Sequence, residues 1–205
     1  MDSAIYIFDL IGIGVFAISG ALAAAQKRLD ILGFILFGTI TGVGGGTARD
    51  LLLGVDHVFW IADTSYLWVC IGASSLTWFA AGKFQSLRKV LLWADALGLA
   101  LFSVLGTIKA LDWHASLIVA VVMGMMTASF GSLMRDVLLG RPPVLLEPNI
   151  YVTAALVGAG GYIVLQAFPG TETIAMPVAM AGAFILRALA ILFDLRLPKY
   201  GNSTA

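Results

Sequence analysis

The residues most able to do chemistry in this chain are a run of glycines and four charges, all within long apolar stretches. One stretch reads Gly-Val-Gly-Gly-Gly-Thr-Ala-Arg-Asp at residues 42–50, and the other reads Ala-Ser-Phe-Gly-Ser-Leu-Met-Arg-Asp at residues 128–136. Glycine costs about 1 kcal/mol relative to alanine inside a helix. Three glycines in succession therefore predict a helix break at Gly44–Gly46, and the single Gly131 predicts a milder kink.

Such a break frees backbone carbonyl groups, which are costly in hydrocarbon unless protein or water satisfies them. A break therefore implies a hydrated lining, in which carbonyl oxygens bind a partly dehydrated K⁺ or Na⁺. We expect this monovalent cation near Gly44, Gly45 and Gly131. The predicted ion path consists of Thr41, Gly44, Gly45, Gly46, Thr127, Ser129, Gly131 and Ser132. The alternative is that these small residues only allow helices to pack closely.

The four charges are Arg49, Asp50, Arg135 and Asp136. An unpaired charge is expensive inside a bilayer, so these groups should face the protein interior and form ion pairs. Sequence neighbours diverge by about 100° on a helix, so we expect partners elsewhere in the chain. Asp9 and Asp95 are candidate partners for the arginines, as is the aspartate of the opposite stretch. The pairs either hold the helices together, or rearrange as a gate, or provide an electric field that tunes ion entry.

Composition identifies the class of protein that surrounds these residues. The chain is 60% hydrophobic and 12% charged, whereas soluble domains carry about 25% charged residues. It is therefore predicted to be an all-α, polytopic membrane protein. The formal net charge of zero gives no basic surface for nucleic acid. The single cysteine, Cys70, excludes a disulfide within the chain.

Seven apolar stretches have the length needed to cross about 30 Å of hydrocarbon. They are Ile5–Ala25, Ile31–Leu53, Ser65–Ala81, Leu91–Leu111, Ala115–Leu139, Ile150–Phe168 and Thr173–Leu195. Basic residues in short loops stay cytoplasmic, and eight of them fall on one side: Lys27, Arg28, Lys83, Arg88, Lys89, Arg141, Arg196 and Lys199. The N-terminus is therefore expected outside the cell and the C-terminus in the cytoplasm.

The first six spans form an internal repeat at a constant offset, which relates Arg49 to Arg135 and Asp9 to Asp95. We place repeat one at about 5–82, repeat two at about 91–168 and a seventh helix at about 173–195, within a single transmembrane domain, 1–205. Each copy contains three spans, which is an odd number, so the second copy enters the membrane from the opposite side. Substrate or ion paths in inverted repeats usually run near the midplane between the two copies.

At these residues the chain resembles the prokaryotic branch of the trimeric intracellular cation channel (TRIC) family. The resemblance rests on seven spans, two repeats, and the two Arg-Asp stretches in spans two and five. It implies a homotrimer in a cell (plasma or inner) membrane. Each protomer would carry a K⁺-preferring pore, with kinked second and fifth helices at its constriction. Lys109 either extends to the interface, or responds to voltage or repels cations in a closed state, as the resemblance suggests.

Phe16 and Phe102 match each other in the repeat. They are either core residues or a hydrophobic constriction beside the glycines. No catalytic constellation is present in the sequence, and residues 42–46 lack the Gly-Lys-Ser/Thr ending of a phosphate loop. We therefore expect no enzyme and no cofactor, with membrane lipids as partners and a lipid as a bound ligand. A secondary transporter of a small solute such as glycine is the alternative to a channel, and a membrane scaffold is a third hypothesis.

Overall fold

A computed structural model describes residues 3–84, 86–146 and 150–197, which form helices joined by short connections. The helices are α1 (Ser3–Gln26), α2 (Ile31–Leu53), α3 (Phe59–Ala62), α4 (Ser65–Ala81), α5 (Leu87–Asp112), α6 (Leu117–Leu138), α7 (Val152–Gln166) and α8 (Glu172–Phe193), with a 3₁₀ turn at Val144–Leu146. The seven longer helices occupy the predicted spans, and α3 is a short addition after α2. Lys199, one of the basic residues that predict the orientation, lies outside the described residues.

Within the described residues, five helices, α1, α2, α5, α6 and α8, are long and apolar enough to cross a membrane by length and composition. The remaining two long helices, α4 and α7, are apolar but shorter, with 17 and 15 residues. They occupy matching places in the two repeats. Each repeat therefore consists of two full-length helices followed by a shorter one.

The predicted helix break at Gly44–Gly46 is wrong for this structure. Helix α2 continues without interruption from Ile31 to Leu53, and α6 continues from Leu117 to Leu138. An unbroken helix keeps its backbone hydrogen bonds inside the segment, which the hydrocarbon strongly favours. The glycines instead supply a surface without side chains, against which another helix packs.

The Leu-Leu-Gly sequence after each Arg-Asp pair ends the second helix of its repeat. Gly54 and Gly140 both adopt a left-handed backbone conformation, with φ of 68° and 62°. Glycine enters this region at little steric cost, whereas other residues rarely do. The repeated glycine thus turns the chain back toward the bundle at matching points.

The core lies where α1 crosses α5 and α2 crosses α6, and it follows the two-fold symmetry of the repeat. Phe16 and Phe102 are buried and stack with ring centroids 5.2 Å apart. A Cβ on Gly12 would press against Phe102, and a Cβ on the matching Gly98 would overlap Phe16. Each aromatic ring therefore fills a space that the opposite helix leaves open with a glycine.

Candidate ion pathway

The contact between α2 and α6 joins the two sequence stretches at their glycines. A Cβ on Gly45 would overlap the carbonyl oxygen of Thr127, and a Cβ on Gly131 would overlap that of Thr41. These two contacts exchange under the repeat, because residues 41 and 45 match residues 127 and 131. The two helix backbones therefore touch directly, as the packing alternative predicted.

Hydroxyl groups at this crossing bond to carbonyls of their own helices. Thr41 donates to Phe37 O at 2.6 Å, and Thr127 donates to Met123 O at the same distance. Ser129 donates to the carbonyl of Met125. The protons of these three hydroxyl groups are therefore bonded within α2 and α6 themselves.

Three further predicted path residues, Ser132, Gly44 and Gly46, have different surroundings. Ser132 donates to the Ser129 carbonyl at 2.9 Å and pairs with the Tyr151 hydroxyl at 2.8 Å. The Cβ position of Gly44 faces the sulfur of Met134 at 3.0 Å, and that of Gly46 meets the ring of Phe59. Their part in lining an ion path stays a prediction.

One cavity, the Asp9 cavity, opens between the N-terminal half of α1 and the C-terminal ends of α2 and α5. Its volume is about 250 Å³. Its polar lining comprises Tyr6, Asp9, Arg49, Asp50, His57, Asp63, Tyr66, Lys109 and Asp112. At its rim, the backbone N–H of Ser65 and the hydroxyl of Tyr6 bond to Asp63 and lower its pKa. The Asp63 carboxylate is therefore charged at neutral pH.

A second cavity, the Arg141 cavity, opens between the C-terminal ends of α1, α6 and α8 and the N-terminal end of α5. It measures about 510 Å³. Its polar lining comprises Gln26, Arg88, Arg135, Asp136, Arg141, Arg187 and Asp194. Because opposite ends of α1 and α5 form the two cavities, they lie on opposite sides of the bundle. Each ends at one copy of the Arg-Asp pair.

The expectation that neighbouring arginine and aspartate residues do not pair is wrong. Arg49 Nη2 lies 2.7 Å from Asp50 Oδ1, and its Nε donates to the same oxygen at 2.8 Å. Arg135 likewise holds both oxygens of Asp136, at 2.9 and 3.1 Å. The arginine side chain is long enough for its guanidinium group to reach the neighbouring carboxylate, despite the angle of about 100° between the two positions on the helix.

The aspartates also hold the chain that returns from each helix. Asp50 Oδ2 accepts the backbone N–H of Phe59 at 3.0 Å, where α3 begins. Asp136 Oδ2 accepts the N–H of Val144 at 3.3 Å, where the 3₁₀ turn begins. The Arg-Asp pair is thus a structural joint in both repeats.

The two repeats differ in what the aspartate of their first helix, Asp9 or Asp95, contacts. Arg135 Nη1 lies 3.0 Å from Asp95 Oδ1 and 2.6 Å from the Ser19 hydroxyl, which confirms Asp95 as a partner. The matching Asp9 instead accepts a hydrogen bond from Tyr66 at 2.9 Å. Among the described residues, no ion pair joins Asp9 to Arg49. The inferred pairing of Asp9 with Arg49 is therefore not formed in this conformation.

Lys109 and the two phenylalanines take different places. Lys109 lines the Asp9 cavity, whereas Phe16 and Phe102 contribute to neither of the two cavities. Sequence reasoning missed Tyr66 and Ser19, whose hydroxyls bond to the buried charges. No spacing signal marks these residues, because their partners lie on other helices.

Comparisons with known proteins give the family. A family model described as "Glycine transporter" matches the chain twice, at residues 6–82 and 92–167. The UPF0126 inner membrane protein YadS of Escherichia coli is 37% identical, with 96% of each chain covered. A UPF0126 membrane protein of Vibrio cholerae is 35% identical, with 97% of this chain and 83% of that protein covered.

Solved structures show the same fold. The TRIC trimeric intracellular cation channel orthologue from Rhodobacter sphaeroides has a TM-score of 0.92 and 43% identity, covering 95% of this chain and all of that one. A prokaryotic TRIC channel crystallised in 0.5 M KCl has a TM-score of 0.89 and 31% identity, covering 96% of this chain and all of that one. These relatives are channels rather than enzymes. The predicted all-α, multi-pass membrane fold is confirmed, and the chain belongs to the prokaryotic branch of the TRIC family.

Proposed function

We propose that this protein is a cation channel that prefers K⁺, with one conduction path in each protomer of a homotrimer. The observation that carries the proposal is the pair of charged cavities on opposite sides of the α2–α6 crossing. Support for ion conduction and a trimer comes from the Rhodobacter relative, which is described as a trimeric cation channel. The permeant ion, K⁺ or Na⁺, is the only ligand this function requires.

The charges of the Asp9 cavity favour cations. Its lining holds four aspartates, at positions 9, 50, 63 and 112, against two basic residues, Arg49 and Lys109. The formal balance is negative, and rings of carboxylates are a common basis of cation selectivity. The cavity therefore concentrates cations at one end of the proposed path.

The glycine contact between α2 and α6 is the proposed gate. Gly45 and Gly131 bring two backbones together and leave no interlocking side chains at the points of closest approach. Separation of the helices would open the seal between the two cavities. The bound ion near Gly44, Gly45 and Gly131 would belong to that open state.

Positive charge in the loops supports the proposed orientation. The Arg141 cavity opens on the side that carries Lys27, Lys83 and Lys89, so it would face the cytoplasm. The Asp9 cavity would then face outward, with the N-terminus. The inner-membrane description of the Escherichia coli relative supports a cell membrane as the location, where membrane lipids surround the apolar helix faces.

Recording single channels in planar bilayers tests conduction. We expect discrete K⁺ currents of picoampere size from the purified protein, with smaller or no Cl⁻ currents. Such currents need far more ions per second than an alternating-access cycle delivers. The absence of unitary currents in several gating conditions would contradict the proposal.

A secondary glycine transporter is the second candidate. The description of the matching family model and the inverted repeat both favour it. Vesicles containing the purified protein would then accumulate labelled glycine in a saturable, counter-ion-dependent manner. We expect no such accumulation above that of empty vesicles, because the solved relatives support a channel.

A further inference from the structure

The four aspartates that line the Asp9 cavity differ in how far their charge is already balanced. Asp50 is fully buried and forms an ion pair with Arg49 at 2.7 Å. Asp63 lies at the rim with a hydrogen bond to each of its oxygens, and Asp112 is exposed at the end of α5, where water and salt screen its charge. Asp9 is half-buried, and in the part of the chain that the structure describes it has no ion-pair partner. Asp9 therefore supplies the cavity with a negative charge that no ion pair cancels.

Tyr66 satisfies Asp9 with a neutral donor. Its hydroxyl donates to Asp9 Oδ2 at 2.9 Å, and within the described residues Asp9 Oδ1 accepts no hydrogen bond. Tyr66 is only 4% exposed, and its ring packs edge-to-face against that of Phe59, with the centroids 4.7 Å apart. A hydroxyl group donates a hydrogen bond without carrying charge, so it fixes the carboxylate and leaves its negative charge in place. The second oxygen of Asp9 therefore stays available to a cation.

The matching aspartate of the second repeat is neutralised instead. Arg135 Nη1 lies 3.0 Å from Asp95 Oδ1, and Asp95 is only 1% exposed. The residue that matches Tyr66 in this repeat is Val152, whose side chain offers no donor. A charge within a bilayer is expensive unless it is paired or faces a water-filled cavity, and a charge retained there commonly has a function. The two repeats thus cancel one carboxylate and keep the other charged beside a cavity.

We propose that Asp9 determines the cation preference of the path, with Tyr66 as the residue that positions it. The inference rests on the proposed function and names the residue on which its selectivity depends. A K⁺ ion that enters the Asp9 cavity would exchange part of its water shell for Asp9 Oδ1, while Tyr66 holds Oδ2. A Cl⁻ ion would meet the same charge and be repelled. Without that charge, Lys109 in the cavity wall would favour anions.

The reversal potential of the purified protein in planar bilayers tests this role. Measured between unequal KCl concentrations, it gives the ratio of Cl⁻ to K⁺ permeability. The variants are Asp9→Asn and Tyr66→Phe, with Asp56→Asn as the matched control. Asp56 is exposed on the connection between α2 and α3 and does not line the cavity. Asp9→Asn and Asp56→Asn therefore remove the same charge from the same side of the protein, inside and outside the cavity.

We expect Asp9→Asn to raise the ratio of Cl⁻ to K⁺ permeability about threefold or more, because one unit of charge beside the path is lost. Tyr66→Phe should raise it by a smaller factor, since the charge remains but loses its fixed place, and Asp56→Asn should leave it unchanged. K⁺ currents in the parent protein with an unaltered ratio in Asp9→Asn would overturn this inference alone. An unaltered ratio in Tyr66→Phe would overturn the positioning role. No current from the parent protein would overturn the proposed function and this inference with it.

A chemical rescue keeps the test decisive if Asp9→Asn fails to fold. Asp9→Cys in a Cys70→Ser background is recorded before and after reaction with the anionic reagent sulfonatoethyl methanethiosulfonate, and mass spectrometry verifies complete labelling. We expect the cysteine variant to show the raised ratio of Cl⁻ to K⁺ permeability and the reagent to lower it again, because the reagent returns a negative charge to this position. The same ratio before and after complete labelling would overturn the inference.

Discussion

Arg49 and Arg135 occupy matching positions, yet their buried charges are satisfied differently. Arg135 is fully buried and contacts Asp95, Asp136 and a serine hydroxyl. Arg49 has the neighbouring Asp50 as its ion-pair partner among the described residues. In the second repeat, the ion pair between Arg135 and Asp95 ties α6 to α5. In the first repeat, the ion pair of Arg49 among the described residues stays within α2, so the helices are less constrained.

This difference predicts unequal effects of two matching substitutions. Asp95→Asn removes a buried ion pair and should cost about 2 kcal/mol of stability. Asp9→Asn should cost less than 1 kcal/mol, because an amide oxygen still accepts the Tyr66 hydroxyl. Thermal unfolding of both variants in the same detergent measures the difference. Equal losses would mean that Asp9 and Asp95 carry equivalent interactions.

For individual residues, the sequence predicted which charged side chains must be paired, but not all of their partners. The depth of Arg49 and Arg135 in apolar runs required them to be paired, and Asp95 was among the candidates. The pairing within Arg-Asp was missed because it depends on arginine rotamers, which an angular argument from helix geometry ignores. The Tyr66 contact with Asp9 was missed because it joins two different helices.

Helices α2 and α6 meet through backbone at Gly45 and Gly131, so this crossing tolerates no added atoms. The glycine run predicts a helix break, because glycine is costly in an isolated helix. In the bundle that cost is offset by close packing between the helices. The glycine run and its repeat in the sequence singled out these residues. Their role in close packing became visible only from the contact between α2 and α6.

Alanine substitutions test the packing role of these glycines. Gly45→Ala and Gly131→Ala should each destabilise the protein by about 1–3 kcal/mol, since the new methyl group would overlap a carbonyl oxygen. Gly160→Ala in α7 is the matched control, because nothing lies within 4 Å of its Cβ position. That change should be neutral or stabilise by up to about 1 kcal/mol. The unfolding midpoints of the three variants, measured side by side, test this expectation. A loss of stability in Gly160→Ala alone would refute the packing role of Gly45 and Gly131.

The whole molecule is an inverted pair of three-helix units with one additional helix, and this plan was predictable because each unit repeats Gly, Arg and Asp at matching places. The cavities were not predictable, since their walls come from helices of both repeats and from α8. Their opposite positions give the molecule two chemically different ends. One end is lined mainly by carboxylates and the other mainly by guanidinium groups.

The predicted orientation of these ends can be measured with single cysteines in a Cys70→Ser background. A membrane-impermeant thiol reagent added to intact cells should label His114→Cys, on the connection after α5, and should not label Lys27→Cys. Inverted vesicles should show the reverse pattern. Labelling of Lys27→Cys in intact cells would place the C-terminus outside.

In the proposed function, cations cross each protomer by way of both cavities. The most direct measurement is the unitary K⁺ current of single-cysteine variants before and after a positively charged thiol reagent is added. Asp112→Cys and Gln26→Cys line the two cavities, and their neighbours His114→Cys and Lys27→Cys do not. We predict that modification reduces the current in both cavity variants and leaves both neighbours unchanged. Unaltered current in the two modified cavity variants would contradict a path through these cavities.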